Sequence, residues 1–145
     1  MPVALLDVNV LIAAAWPNHV HHGAARRWFE RSSASGWATT AVTELGFVRV
    51  SSNKNVIPGA ATPGHALGVL RALCDLPGHE FWPDEVRLID PPFPTDRLGT
   101  HKQLTDVHLA ALAAVRGGRL VTFDRGVAHA LHPADRGVVE LLPVT

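Results

Sequence analysis

Apolar residues run through Val3-Ala4-Leu5-Leu6, pause at Asp7, and resume at Val8, Val10, Leu11 and Ile12. A run without polar alternation fits a strand buried on both faces, as in a parallel sheet. Residues 8–15 are helix-compatible until Pro17 intervenes, and a second helical stretch covers about 21–33. Trp37-Ala38-Thr39 reads as the next strand, and Thr40 is a plausible N-cap for a helix over about 41–50. Asn, Pro and Gly punctuate 51–64 as a loop, and a helix over 65–76 is stopped by Pro77-Gly78.

Further along, Phe81-Trp82 predicts a short strand and Val86-Arg87-Leu88-Ile89 an edge strand, separated by Pro83. Pro91-Pro92-Phe93-Pro94 must be extended or turn. The capping-box pattern Thr100-His101-Lys102-Gln103 opens a helix over 104–116, which Gly117-Gly118 ends. Residues 119–123, 127–131 and 138–142 complete the pattern as strand, short helix and strand. With right-handed crossovers, this alternation stacks helices on both faces of a mostly parallel sheet. Neither a repeat nor a linker divides residues 1–145, so the chain reads as one domain.

Composition changes the picture in three ways. With 145 residues, 47% of them hydrophobic, the chain can bury one ordinary core. Thirteen basic and thirteen acidic side chains give a net charge of +0, which excludes a polybasic nucleic-acid coat, so any polyanion must be handled locally. The single cysteine, Cys74, excludes an intrachain disulfide and a thiolate cage; it reads as a small buried hydrophobe in a reducing cytosol. No apolar run reaches the roughly 18 residues that span a bilayer, and the expectation is a soluble, cytoplasmic protein.

Four acids stand apart. Asp7 lies at a strand exit, where open parallel sheets bind ligands, although capping the following helix would also account for it. Asp124 repeats that arrangement after Leu120-Val121-Thr122-Phe123. Glu44 falls one position beyond a capping box begun at Thr40 and shares a helical face with Ala41, Phe47 and Val48. An inward carboxylate there needs a cation. Asp106 sits in a largely apolar helix and, counted from Thr100, lies past the leading positions that favour an acid. Burying it unpaired costs several kcal/mol, and Lys102 four residues earlier is the bland partner. Asp84, Glu85 and Asp90 read as surface charges, and His19, His21 and His22 as a solvated helix entrance, not a zinc site.

The segments Leu6-Asp7-Val8-Asn9-Val10-Leu11-Ile12, Thr43-Glu44-Leu45, Thr105-Asp106-Val107-His108-Leu109-Ala110-Ala111 and Leu120-Val121-Thr122-Phe123-Asp124-Arg125-Gly126 occur in an order that resembles the PIN domain, most closely the small toxins of the VapC type. That resemblance implies a three-layer α/β/α sandwich and Mg²⁺- or Mn²⁺-dependent endoribonuclease activity. It further implies inhibition by a VapB-type antitoxin and a homodimer within the toxin–antitoxin complex. It puts Asp7, Glu44, Asp106 and Asp124 in the catalytic, metal-binding set, with Asn9 and Thr122 as auxiliary residues.

The chemistry of the acids agrees. Gathered carboxylates raise one another's pKa unless a divalent ion neutralises them, and an all-oxygen donor set selects Mg²⁺ or Mn²⁺ over zinc. Such an ion activates water for in-line attack on phosphorus, so phosphodiester hydrolysis is the natural reaction. Arg125 and Lys54 are candidate phosphate contacts. Two rivals stand beside this reading. A catalytically idle PIN-like binding module would have lost one or more acids, and a phosphoacceptor domain of the receiver type would need a lysine at a strand exit, where neither Lys54 nor Lys102 lies.

Overall fold

A computed structural model of the chain describes residues 2–144. Strands β1 (Ala4–Leu6), β2 (Trp37–Thr39), β3 (His79–Phe81), β4 (Arg119–Thr122) and β5 (Val139–Leu141) form one sheet in the order β3-β2-β1-β4-β5. Every pairing is parallel. Helices α1 (Val8–Ala15), α2 (His22–Ser32), α3 (Ala41–Ser51), α4 (Pro63–Cys74), α5 (Leu104–Val115) and α6 (Gly126–His129) connect them.

Side chains alternate across a strand, so each strand feeds two cores. Ala4, Leu6, Trp37 and Val121 pack with apolar residues of α1, α2, α3 and α4. Leu5, Ala38 and Leu120 pack instead with α5 and with Val127 of α6. The result is a three-layer α/β/α sandwich whose central strands β1 and β2 are wholly buried, which is why β1 carries no alternation in its sequence.

From β1 the chain steps outward to β2 and β3, then returns to the other side of β1 for β4 and β5. The crevice beyond the carboxyl ends of β1 and β4 is therefore the topological switch point, where such sheets bind ligands. This order also sets aside the receiver-type reading, because that fold arranges its strands 2-1-3-4-5.

Several elements depart from the sequence expectation. Residues 86–89 are not an edge strand. Trp82 still donates its N–H to Thr39 O, but Pro83 has no N–H to continue the ladder. Val86 and Leu88 then pack loosely against the α5-side core while Ile89 is exposed. Helix α4 starts at Pro63, earlier than the glycine-rich loop suggested, because Thr62 accepts a hydrogen bond from His65 N and proline suits a first turn. The Thr100 capping box opens a short 3-10 turn, and α5 begins only at Leu104. Asp106 therefore lies in the first turn of α5, not beyond it. Among the described residues, no helix is long and apolar enough to cross a membrane.

Gly118, just before β4, shows how tightly the sheet is set. A Cβ there would lie 2.5 Å from the Val3 carbonyl oxygen and 2.8 Å from the Trp82 ring. Gly68 on α4 has open space around it. We expect Gly118→Ala to destabilise the fold by about 1–3 kcal/mol through overpacking. Gly68→Ala should stabilise it by about 0.5–1 kcal/mol through helix propensity. Urea denaturation of both variants checks the opposite signs.

Candidate active site

Asp7 ends β1 and is 6% exposed. Its Oδ1 accepts a hydrogen bond from Val8 N at 2.8 Å, which caps α1. Its Oδ2 accepts from the Thr122 hydroxyl at 2.7 Å, across to β4. Capping and site-building are thus one arrangement: the first oxygen starts the helix and the second ties adjacent strand ends together.

Thr122 uses its whole hydrogen-bonding capacity. Its one proton goes to Asp7, while its oxygen accepts from Asn9 Nδ2 at 3.2 Å and from Asp124 N at 3.0 Å. Asn9 Oδ1 in turn accepts from Phe123 N at 3.1 Å, which fixes the orientation of its amide. Asp124 Oδ1 accepts from Gly126 N at 2.8 Å and otherwise faces solvent. Asn9 and Thr122 therefore lock the exits of β1 and β4 into one polar unit.

Asp106 comes to this unit from α5. It lines a cleft of about 390 Å³ together with Asp7, Asn9, His19, Val50 and Ile57. Burial, followed by the charges of Asp7 and Asp124, pushes the Asp106 carboxyl up to about 7. Burial also raises Asp7, and Asp124 adds to the rise, while the bonds from Thr122 and Val8 oppose it. Among the described residues, no ion pair involves Asp7, Asp106 or Asp124, and the expected Lys102–Asp106 pair is not formed. Asp84, read as a surface charge, bonds to His108 at 3.0 Å.

Glu44 comes from the first turn of α3 and lines a different cavity from Asp7 and Asp106. Thr39 shares the sheet face of Trp37, toward α4, whereas Thr122 shares that of Leu120, toward α5. The Thr39 hydroxyl donates to Glu44 Oε2 at 2.7 Å, so the carboxylate is held on the face opposite Thr122. Arg125 and Lys54 are both exposed; Arg125 precedes α6, and Lys54 belongs to the loop whose Val56 and Ile57 line the cleft.

His19 is the cleft residue that sequence reasoning missed. The His19/His22 spacing was visible, but only the turn after Pro17 turns His19 toward Asp7 and Asp106. Its Nδ1 accepts from His21 N at 3.0 Å, and burial lowers its pKa, so the ring is neutral with a hydrogen on Nε2. His22 Nδ1 bonds to Ala13 O and His21 stacks on Phe123, so the three histidines do not form a ligand set.

A five-stranded parallel sandwich with acids from two adjacent strand exits and a facing helix defines a class of acidic-site domains. The chain belongs to the PIN domain family, whose model matches residues 4–131. It is 54% identical over 140 residues to Ribonuclease VapC39 of Mycobacterium tuberculosis, covering 96% of this chain and 99% of that protein. It is 46% identical over 142 residues to Ribonuclease VapC38 of the same organism, covering 98% and 99%. Ribonuclease VapC29 of that organism is 37% identical over 143 residues, covering 97% of each.

The raised Asp106 pKa carries a stability consequence. Its carboxyl titrates near 3.8 when unfolded and about 7 when folded. Between those values the folded state holds the proton more tightly, so stability falls as pH rises through the window and levels above it. In EDTA, the melting temperature of Asp106→Asn should gain on that of the wild type as pH rises from about 4 to about 7. A gap that stays constant or narrows would count against the charge crowding. Using the difference between the two proteins removes the contribution of histidines common to both.

Proposed function

We propose that this chain is a metal-dependent endoribonuclease, the toxin of a toxin–antitoxin pair, and that Asp7, Asp106 and Asp124 hold its Mg²⁺ or Mn²⁺. The observation that carries this reading is the gathering of Asp7, Asp106 and Asp124 at the switch point, where the carboxyls of Asp7 and Asp106 are raised by burial and by neighbouring acidic charge, without an ion pair among the described residues. Membership of the PIN family and the ribonuclease names of the relatives support it. The donors are all carboxylate oxygens, the set that suits a hard divalent cation. A bound ion of this kind offsets charge on the phosphate oxygens and activates water.

The chain's own residues do the positioning. Thr122 and Asn9 hold the Asp7 carboxylate and the Asp124 backbone in register, so the donors are preorganised before any substrate arrives. His19 presents an Nε2–H donor at the cleft for a phosphate oxygen. Arg125 and Lys54 supply exposed positive charge near the rim, in a chain with no net charge to attract RNA nonspecifically. Glu44, which the resemblance puts in the same set, is engaged with Thr39 on the other face.

A free ribonuclease in its own cytoplasm must be restrained. The restraint here is a VapB-type antitoxin that sets an arginine among the carboxylates in place of the metal's charge, with the toxin as a homodimer in the complex. The idle-module reading is disfavoured by the presence of all four matched acids, Asp7, Glu44, Asp106 and Asp124.

Asp7→Asn and Asp106→Asn each keep the side chain's shape while removing a donor charge. Each should lower Mn²⁺-dependent RNA cleavage by at least about a hundredfold, beyond the 10- to 100-fold usual for groups that only orient a ligand. The measurement is sequencing of RNA ends after incubation with purified protein, with folding checked by circular dichroism. Wild-type cleavage by either folded variant would sink the assignment.

A further inference from the structure

The cleft that holds Asp7 and Asp106 adjoins a second cavity, of about 410 Å³, and the two share Ile12, His19, Val56 and Ile57. Beyond that common wall the second cavity is completed by Trp16, Asn18 and Pro58. None of its lining residues is an acid, a lysine or an arginine. The aspartates thus stand at one end of a groove whose other end is apolar apart from His19 and the Asn18 amide.

The apolar end is preformed. Trp16 Nε1 donates to Ser51 Oγ at 2.9 Å and its ring stacks on Phe47 at 6.3 Å, so the indole is not free to swing into the space. On the loop side, the Asn53 carbonyl accepts from Val56 N and from Ile57 N, each at 3.0 Å, and Ala61 N donates to Ser51 O at 3.0 Å, which closes the neck of the loop. Asn18 is exposed, and among the described residues no hydrogen bond engages its side chain. Its amide therefore has both donors and an acceptor to offer.

Charge brings a polyanion to this side of the molecule. Residues 8–74, which include α1, α2, α3, α4 and the loop, carry six basic and two acidic side chains, whereas residues 75–96 carry six acidic and one basic. An RNA strand crossing the aspartates is thereby drawn over the α1–α4 layer and repelled from 75–96. A nucleobase needs apolar walls for its faces and one or two polar groups for its edge, the combination that the groove has. Paired bases are stacked within a duplex and cannot enter it.

We propose that this groove is a nucleobase subsite. One unpaired base next to the scissile phosphate enters it, with its faces against the wall of Ile12, Trp16 and Ile57 and its edge read by Asn18, while His19 stands at the junction with the phosphate. The inference rests on the proposed function and adds to it the form of the RNA and the residue that selects the base.

The purified full chain is incubated in Mn²⁺ with a randomised single-stranded RNA pool, and the new ends are sequenced. We expect a bias of at least about tenfold for one base at a nucleotide flanking the cut, and cutting of the preferred sequence should slow at least about tenfold when it is annealed to its complement. Asn18→Ala should reduce the bias at least about fivefold, the effect of one lost hydrogen bond. Ile57→Trp, which fills the groove, should cut the preferred strand at least about tenfold more slowly than the wild type, yet match it on the same strand made abasic at the biased position. A bias at neither flanking nucleotide, or a duplex cut as readily as the single strand, overturns the inference and leaves the proposed function standing. A bias unchanged in folded Asn18→Ala does the same and leaves the groove to an apolar protein partner, as does a folded Ile57→Trp that lags on the abasic strand. A wild type that cuts no RNA in Mn²⁺ overturns the proposed function, and the inference with it.

Discussion

The aspartate site depends on where one hydroxyl proton goes. Thr122 can donate only once, and it donates to Asp7 while accepting from Asn9 and from the backbone of Asp124. That single group joins the ends of two strands that lie far apart in sequence and side by side in the sheet. The arrangement needs β1 and β4 to be neighbours, and the parallel pairing of Leu6 with Val121 puts Asp7 and Thr122 at the same height. Asp7 N donating to Val121 O at 2.9 Å completes the registration.

The same convergence is electrostatically unfavourable without a cation. Asp7 is buried, Asp106 is half-buried, and Asp124 repels both. A fold selected only for stability would disperse such charges or neutralise them with lysine or arginine. Here Lys102 remains exposed and unpaired with Asp106, and the acid titrates close to neutrality instead. Perturbed carboxyls in a cleft mark a site where a cation would relieve the repulsion.

Two clusters of different chemistry lie near one sheet end, in separate cavities. Trp37, Thr39 and His79 point toward α4, and Leu120 and Thr122 toward α5. Glu44, Cys74 and His79 line one of these cavities, and Asp7 and Asp106 line the other with the His19 ring. A residue two positions along a strand stays on its face, so neither set can drift into the other without a change of register.

The sequence by itself determined the layers, the buried central strands and three of the acids that converge. Those signals are local: unbroken apolar runs, a cap before a helix, and an acid at a strand exit, all readable because the periods of helix and strand are fixed. It also marked Asn9 and Thr122, through the PIN-like motifs that contain them. The tertiary structure decided which acids meet. Helical periodicity correctly turned Glu44 inward, but whether inward means toward Asp7 or toward His79 depends on the face on which Thr39 catches it. The edge strand expected at 86–89 failed for a related reason, since strand-like composition does not supply a partner once Pro83 has broken the ladder. His19 and Cys74 looked ordinary because their neighbours are distant in the chain: Asp106 for one, Glu44 and His79 for the other. Contacts of that range are set by strand order and loop path, which local propensity does not encode.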